Sequence, residues 1–197
     1  MKNRRNKGFT LIEIMISVAV LAILVIGIYS ALSATQNLYV AGVTRQTIQD
    51  RVRKALNDIA LELRQANSGA AVPLTFGTAG TAGDQSVTFQ MCTGFAAGAA
   101  TYGTAITFTT INGDGETDNG VDDNGNHMID ERKLVRIQGT RTILIADFVK
   151  EGSLRFTRSP AVGAVQSIRV DLTLQGVDDK GKVLEASGTV TVDLRNQ

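Results

Sequence analysis

Hydrophobic and polar positions change rhythm along the chain. From Phe9 to Leu32 nearly every residue is apolar, with Glu13 the one charge and Thr10, Ser17 and Ser30 its most polar companions. A run of about 24 apolar residues is long enough to cross a bilayer as a helix. Further on, Ile48, Val52, Ala55, Leu56, Ile59, Leu63 and Ala66 recur at steps of three and four. Arg45, Asp50, Arg51, Arg53, Lys54, Asp58, Glu62 and Arg64 fill the positions between them, so this stretch predicts an amphipathic helix. No proline precedes Pro73, and Asn67-Ser68-Gly69 supplies a stop signal. Residues 9–66 therefore read as one helix of roughly 87 Å at about 1.5 Å per residue.

Beyond residue 70 the period shortens to two. Strands are predicted at Ser86–Met91, Ala105–Ile111, Lys133–Gln138, Thr142–Val149, Ser153–Arg158, Ser167–Leu174 and Val183–Leu194, the last either continuous or interrupted around Gly188. The alternation in Ile168-Arg-Val-Asp-Leu-Thr-Leu174 is the clearest. Gly69 to Gly83 and Gly94 to Gly103 read as small-residue loops. The expected fold class is α+β: a long N-terminal helix, half membrane-type and half amphipathic, packed on an antiparallel β-sheet.

Charge sharpens this picture. Twenty basic residues nearly balance nineteen acidic ones, which implies no direct nucleic-acid binding. Lys2, Arg4, Arg5 and Lys7 crowd the first eight residues, and no charge occurs from Ile14 to Thr44. Seven of the nineteen acids fall between Asp114 and Glu131, where there is no Lys or Arg. Cys92 is the only cysteine, so no intramolecular disulfide can form; it reads as a small buried hydrophobe in a strand. With one histidine and one cysteine, most hydrolase and redox mechanisms lack their parts, and a non-enzymatic role is expected.

Glu13 needs a reason, because a carboxylate in hydrocarbon costs on the order of 2–3 kcal/mol even on lenient insertion scales. The residues around it, Lys7-Gly8-Phe9-Thr10-Leu11-Ile12-Glu13, resemble the cleavage site of the type IV prepilins and type II secretion pseudopilins. The resemblance is strongest over the first 35 residues. It implies that a prepilin peptidase cuts between Gly8 and Phe9 on the cytoplasmic side and methylates the new amino group of Phe9. It also implies that Glu13, fifth in the mature chain, pairs with the terminal amine of a neighbouring subunit during assembly. A carboxylate satisfied by a cation and hydrogen bonds from another molecule would favour docking.

On this resemblance residues 1–8 are a leader peptide, 9–66 the anchoring and assembling helix, and 67–197 a β-rich globular domain. The implied partners are the peptidase, other pilins or pseudopilins in a filament, an inner-membrane assembly platform, and membrane lipid before assembly. The implied location is a single-pass inner-membrane protein with its globular domain outside the cytoplasm, then a pilus or pseudopilus. "RVRKALNDIALELRQA" (51–66) and the terminal strand suggest a minor component of PilW-like or GspJ-like kind. An alternative of another class is a calcium-stabilised adhesin or substrate-binding module using the same anchor.

The segment "NGDGETDNGVDDNGNHMIDE" (112–131) is similar to bacterial calcium loops. Calcium takes six to eight oxygens, often from alternating Asp and Asn around a tight turn. Read from Asp122, the ligands are Asp122, Asn124, Asn126, the carbonyl of Met128, and Asp130, with Ile129 packing beneath the ion. His127 then stands where such loops place glycine, and the twelfth position is Lys133. A second register puts Gly125 at the turn and Glu131 last, but begins at Gly120, which has no side-chain oxygen. Asp118 or Asp114 could complete either set. The plain alternative is a solvated acidic loop turning at Asn112-Gly113, Asn119-Gly120 and Asn124-Gly125. Calcium is the expected cofactor, rigidifying the loop in place of a disulfide.

Overall fold

A computed structural model describes residues 9–66, 74–78, 84–159 and 165–194. The chain divides into two compact units, Met1–Gly42 and Val43–Gln197. Helix α1 runs over Leu11–Leu63, close to the expected span. In the first unit its apolar side chains face outward: Leu11 is 78% exposed, Ile23 71% and Leu24 58%.

In the second unit the helix turns one face to a sheet. Ile48, Val52, Ala55, Leu56, Ile59, Ala60 and Leu63 are all buried, which is the predicted stripe with Ala60 added. Removing each such Leu or Ile from water contributes about 1.5–3 kcal/mol. Opposite the helix lie β1 (Thr75–Thr78), β2 (Asp84–Phe89), β5 (Ile106–Asn112), β6 (Arg132–Gln138), β7 (Arg141–Val149), β8 (Arg155–Ser159), β9 (Ser167–Val177) and β10 (Val183–Asp193). They form one antiparallel sheet in the order β1-β2-β5-β6-β7-β9-β10. Strand β8 pairs with β9 over five residues and touches β2 at Asp84↔Phe156, so the sheet curls into a nearly closed barrel. The opposite seam, β7 to β9, is equally thin, with the single pair Val149↔Leu174. This is an α+β, type IV pilin-like arrangement of one long helix on an antiparallel sheet.

Strand β9 keeps the predicted alternation: Ile168, Val170, Leu172 and Leu174 are buried on one face. Of the two readings of the last strand, continuous or broken at Gly188, the continuous one holds: β10 runs unbroken through Gly188, which pairs with Leu172. The reason is proximity. A Cβ at Gly188 would lie 2.6 Å from Val52 Cγ1 and 2.7 Å from Leu56 Cδ1, so glycine lets helix and strand approach closely. Arg136 on β6 adds a polar tie, donating from Nε to both carboxylate oxygens of Glu62 on the helix at 2.9 and 2.7 Å.

Two stretches read as loops contain strands. Cys92–Ala96 (β3) and Ala99–Tyr102 (β4) form a separate hairpin, and Thr75–Thr78 is β1. Small residues fit a strand as well as a loop when main-chain bonds and a threonine contact such as Thr93 Oγ1 to the Thr101 carbonyl (3.2 Å) hold it, so alternation gave no sign of them. Cys92 lies in β3 as expected but is half-buried, its thiol donating to the Gly94 carbonyl at 3.5 Å.

Candidate functional site: the helix start and the acidic loop

At the helix start, Thr10 is the cap. Its Oγ1 accepts the Glu13 N–H at 3.3 Å, and its carbonyl accepts the N–H groups of Glu13 (3.1 Å) and Ile14 (3.2 Å). Thr10-x-x-Glu13 is thus a capping-box pattern, a signal present in the sequence but overshadowed by the cleavage motif. Glu13 is exposed in the first turn, where the positive end of the helix dipole favours an anion. Some of the tolerance for a carboxylate here is therefore local. Phe9 is 79% exposed, and Gly8 lies outside the described residues. Helix α1 is long and apolar enough to cross a membrane, and none of the residues in its most apolar window is buried. An apolar surface of that extent requires lipid or protein to cover it.

The acidic loop joins β5 to β6 and is held by its own side chains. Asp122 Oδ1 accepts the N–H groups of Gly125 (2.6 Å) and Asn126 (3.1 Å), and Oδ2 accepts that of His127 (2.7 Å). Burial raises the Asp122 pKa, but these three N–H groups and the nearby His127 outweigh it and hold the carboxyl below its ordinary 3.8. Asp123 is lowered too, by side-chain hydrogen bonds from Thr117 and Asn119. His127 has φ +71, the left-handed backbone that glycine would adopt at this position. Its ring lies against the β9–β10 turn, where a Cβ at Gly181 would be 3.2 Å from it.

The proposed ligands divide. Asn124 Oδ1 accepts the Asn126 N–H at 3.0 Å, and Asn126 Oδ1 accepts the Met128 N–H at 2.8 Å. Both amides donate to Glu131 Oε1, from Asn124 Nδ2 at 2.9 Å and Asn126 Nδ2 at 2.7 Å. Asp130 turns elsewhere, its two oxygens accepting the N–H groups of Asn119 (3.1 Å) and Gly120 (2.6 Å). Asp114 pairs with Lys133 at 2.6 Å and Asp118 with Arg132. The Asp114 carboxylate holds the Lys133 ammonium above its usual pKa. The acids thus draw counter-ions from β6, just beyond the segment that lacks them. Ile129 is 57% exposed, whereas Met128 is buried at 4%, reversing the expectation that Ile129 packs inward.

Sequence reasoning passed over Glu116. It is 6% exposed, and its Oε1 accepts the Asn124 N–H at 3.2 Å. Among the described residues, no group of three or more His, Cys, Asp or Glu side chains is placed to hold a metal ion.

The prokaryotic N-terminal methylation motif matches residues 3–29, which covers the basic leader, the Gly8-Phe9 junction, Glu13 and most of the apolar run. No curated protein and no solved structure matches the chain. The chain therefore carries a prepilin- or pseudopilin-type methylation motif on a long apolar helix, consistent with a type IV pilin-like structural subunit.

Proposed function

We propose that the protein is a minor pilin or pseudopilin, of PilW-like or GspJ-like kind, that builds into a type IV pilus or a type II secretion pseudopilus. The match of the methylation motif to residues 3–29 carries this reading. In it, prepilin peptidase removes residues 1–8 after Gly8, and Phe9 becomes the N-methylated terminus. The subunit then waits in the inner membrane with its globular part outside the cytoplasm. An assembly platform passes it into the filament, where other pilins or pseudopilins replace lipid around the apolar helix.

The physical logic is an exchange of partners for the surface of residues 11–32. Lipid and a neighbouring helix are comparably apolar, so hydrophobicity alone gives little drive toward the filament. Glu13 supplies a difference between the two states. In lipid the one cation near it is the subunit's own Phe9 amine, four residues back, whereas in the filament a neighbour's methylated amine is added. Thr10 and the helix dipole lower the cost of the unpaired state without removing it.

The test uses two variants in cells with a working prepilin peptidase. Gly8→Val is expected to leave the leader attached, and Glu13→Val to be processed but missing from sheared filaments. Glu13→Val that enters filaments at the wild-type level would overturn the pairing role. Full-length Gly8→Val that does so would overturn the processing step.

A further inference from the structure

We propose that the acidic loop binds a calcium ion through Glu116 and Glu131, two buried carboxylates whose second oxygens have no partner. This stands apart from the N-terminal reading and differs from the ligand set expected from sequence spacing. Glu131 is 3% exposed and Glu116 6%, and the Oε2 atom of each is buried without a hydrogen bond. Each keeps one oxygen engaged, and both engaged oxygens meet the same residue. Glu116 Oε1 accepts the main-chain N–H of Asn124, and Glu131 Oε1 accepts its side-chain amide. One residue thus draws the two carboxylates together and leaves their free oxygens buried.

Their surroundings leave the charge unanswered. Of the neighbouring cations, Lys133 pairs with Asp114 and Arg132 pairs with Asp118 through Nη2; the Arg132 Nε is buried without a partner and donates to neither glutamate. Among the described residues, neither glutamate has an ion pair. Asp130, the third buried acid, differs because main-chain N–H groups hold both of its oxygens. Burying an unpaired carboxylate is strongly unfavourable, and a group so placed needs a cation or a proton. All the available donors are oxygens, which selects a hard ion, and calcium tolerates the irregular geometry of a loop better than magnesium does. Two carboxylates would neutralise it, with main-chain oxygens and water filling the remaining positions.

The loop backbone is shaped for such closure. Gly113 donates its N–H to the Glu131 carbonyl at 2.9 Å, and a Cβ at Gly113 would sit 2.7 Å from that oxygen. The ends of the loop are thereby clamped on the segment that carries Glu131. A cavity of about 130 Å³ opens beside Glu131, with Asp114, Asn124, Asn126, Arg132, Lys133 and Asp147 in its lining; Glu116 reaches it only through Asn124.

The experiment titrates calcium chloride into the full chain, stripped with chelator and held in detergent micelles. Calorimetry and thermal melting would be followed for wild type, Glu116→Gln and Glu131→Gln. Calcium is expected to release binding heat and raise the wild-type Tm by several degrees. Each glutamine variant should bind at least tenfold more weakly and, with chelator present, melt no lower than wild type. Losing an unpaired buried charge costs nothing in the ion-free state, whereas losing a purely structural contact would lower Tm. A second readout needs no variant: the side-chain amide resonances of Asn124 and Asn126 should shift on adding calcium to wild type. Absence of heat, unmoved amide resonances, or a calcium-dependent rise in Tm that survives both substitutions would overturn the proposal.

Discussion

Replacing Gly188 by alanine tests how the helix meets the sheet. The added Cβ would stand 2.6 Å from Val52 Cγ1 and 2.7 Å from Leu56 Cδ1, both distances shorter than real carbon contacts. Val52 is stiff at χ1 and 2% exposed, so it cannot swing away; Leu56 has more freedom but is also buried. Overpacking of this kind costs about 1–3 kcal/mol. Alanine recovers about 0.5–1 kcal/mol over glycine in a strand interior. The net expectation is a loss of up to about 2.5 kcal/mol, centred on about 1 kcal/mol, which at that centre is a fall in Tm of about 2–4 °C for a unit of this size. Gly176→Ala is the internal control. There the closest atom is Ile48 Cδ1 at 2.7 Å, which rotation about χ2 can move, with Ile48 Cγ1 behind it at 3.1 Å, so a loss smaller than at Gly188 is expected. Thermal unfolding followed by circular dichroism would read both. If Gly188→Ala melts at or above wild type, or no lower than Gly176→Ala, the close packing of helix on β10 is wrong.

Other consequences can be checked with the same material. Arg136→Ala leaves Glu62 partly buried without its partner and should cost about 1–2 kcal/mol, whereas Glu62→Gln with Arg136 intact should cost less; urea titration would compare them. His127→Gly relieves a left-handed residue, a gain of about 1 kcal/mol, but loses the ring's contact at Gly181. A small net change in Tm is therefore expected, and a large fall would mean the ring contact dominates. The lowered carboxyls of Asp122 and Asp123 set a pH dependence. Their contribution is present above the unfolded value of 3.8 and is lost as pH falls through the lower folded value. Amide resonances of Gly125, Asn126 and His127 should thus titrate below pH 3.8, and a midpoint above it would contradict the hydrogen bonding described.

Much of this was readable from residue order because it is local. The Ile48-to-Ala66 stripe lies on one side of one helix, and the β9 alternation lies on one side of one strand, so period alone reveals both. Gly188 left a break open because a missing side chain is the same signal whether a strand ends or a helix approaches. The β3–β4 hairpin escaped because main-chain bonds hold it and its small side chains carry no alternation. Loop spacing pointed to Asp122 and Asp130, yet main-chain N–H groups hold Asp130. Glu116 was passed over because its role depends on Asn124 folding back to it. Thr10-x-x-Glu13 was legible as a cap but hidden beneath a stronger motif at the same residues.

The central claim concerns the amino terminus, and the mass of the N-terminal peptide from membrane-associated protein tests it most directly. The account predicts a peptide beginning at Phe9 and carrying one additional methyl group on its amine. An intact Met1 terminus, in cells whose peptidase processes other prepilins, would contradict it and leave only a plain membrane anchor.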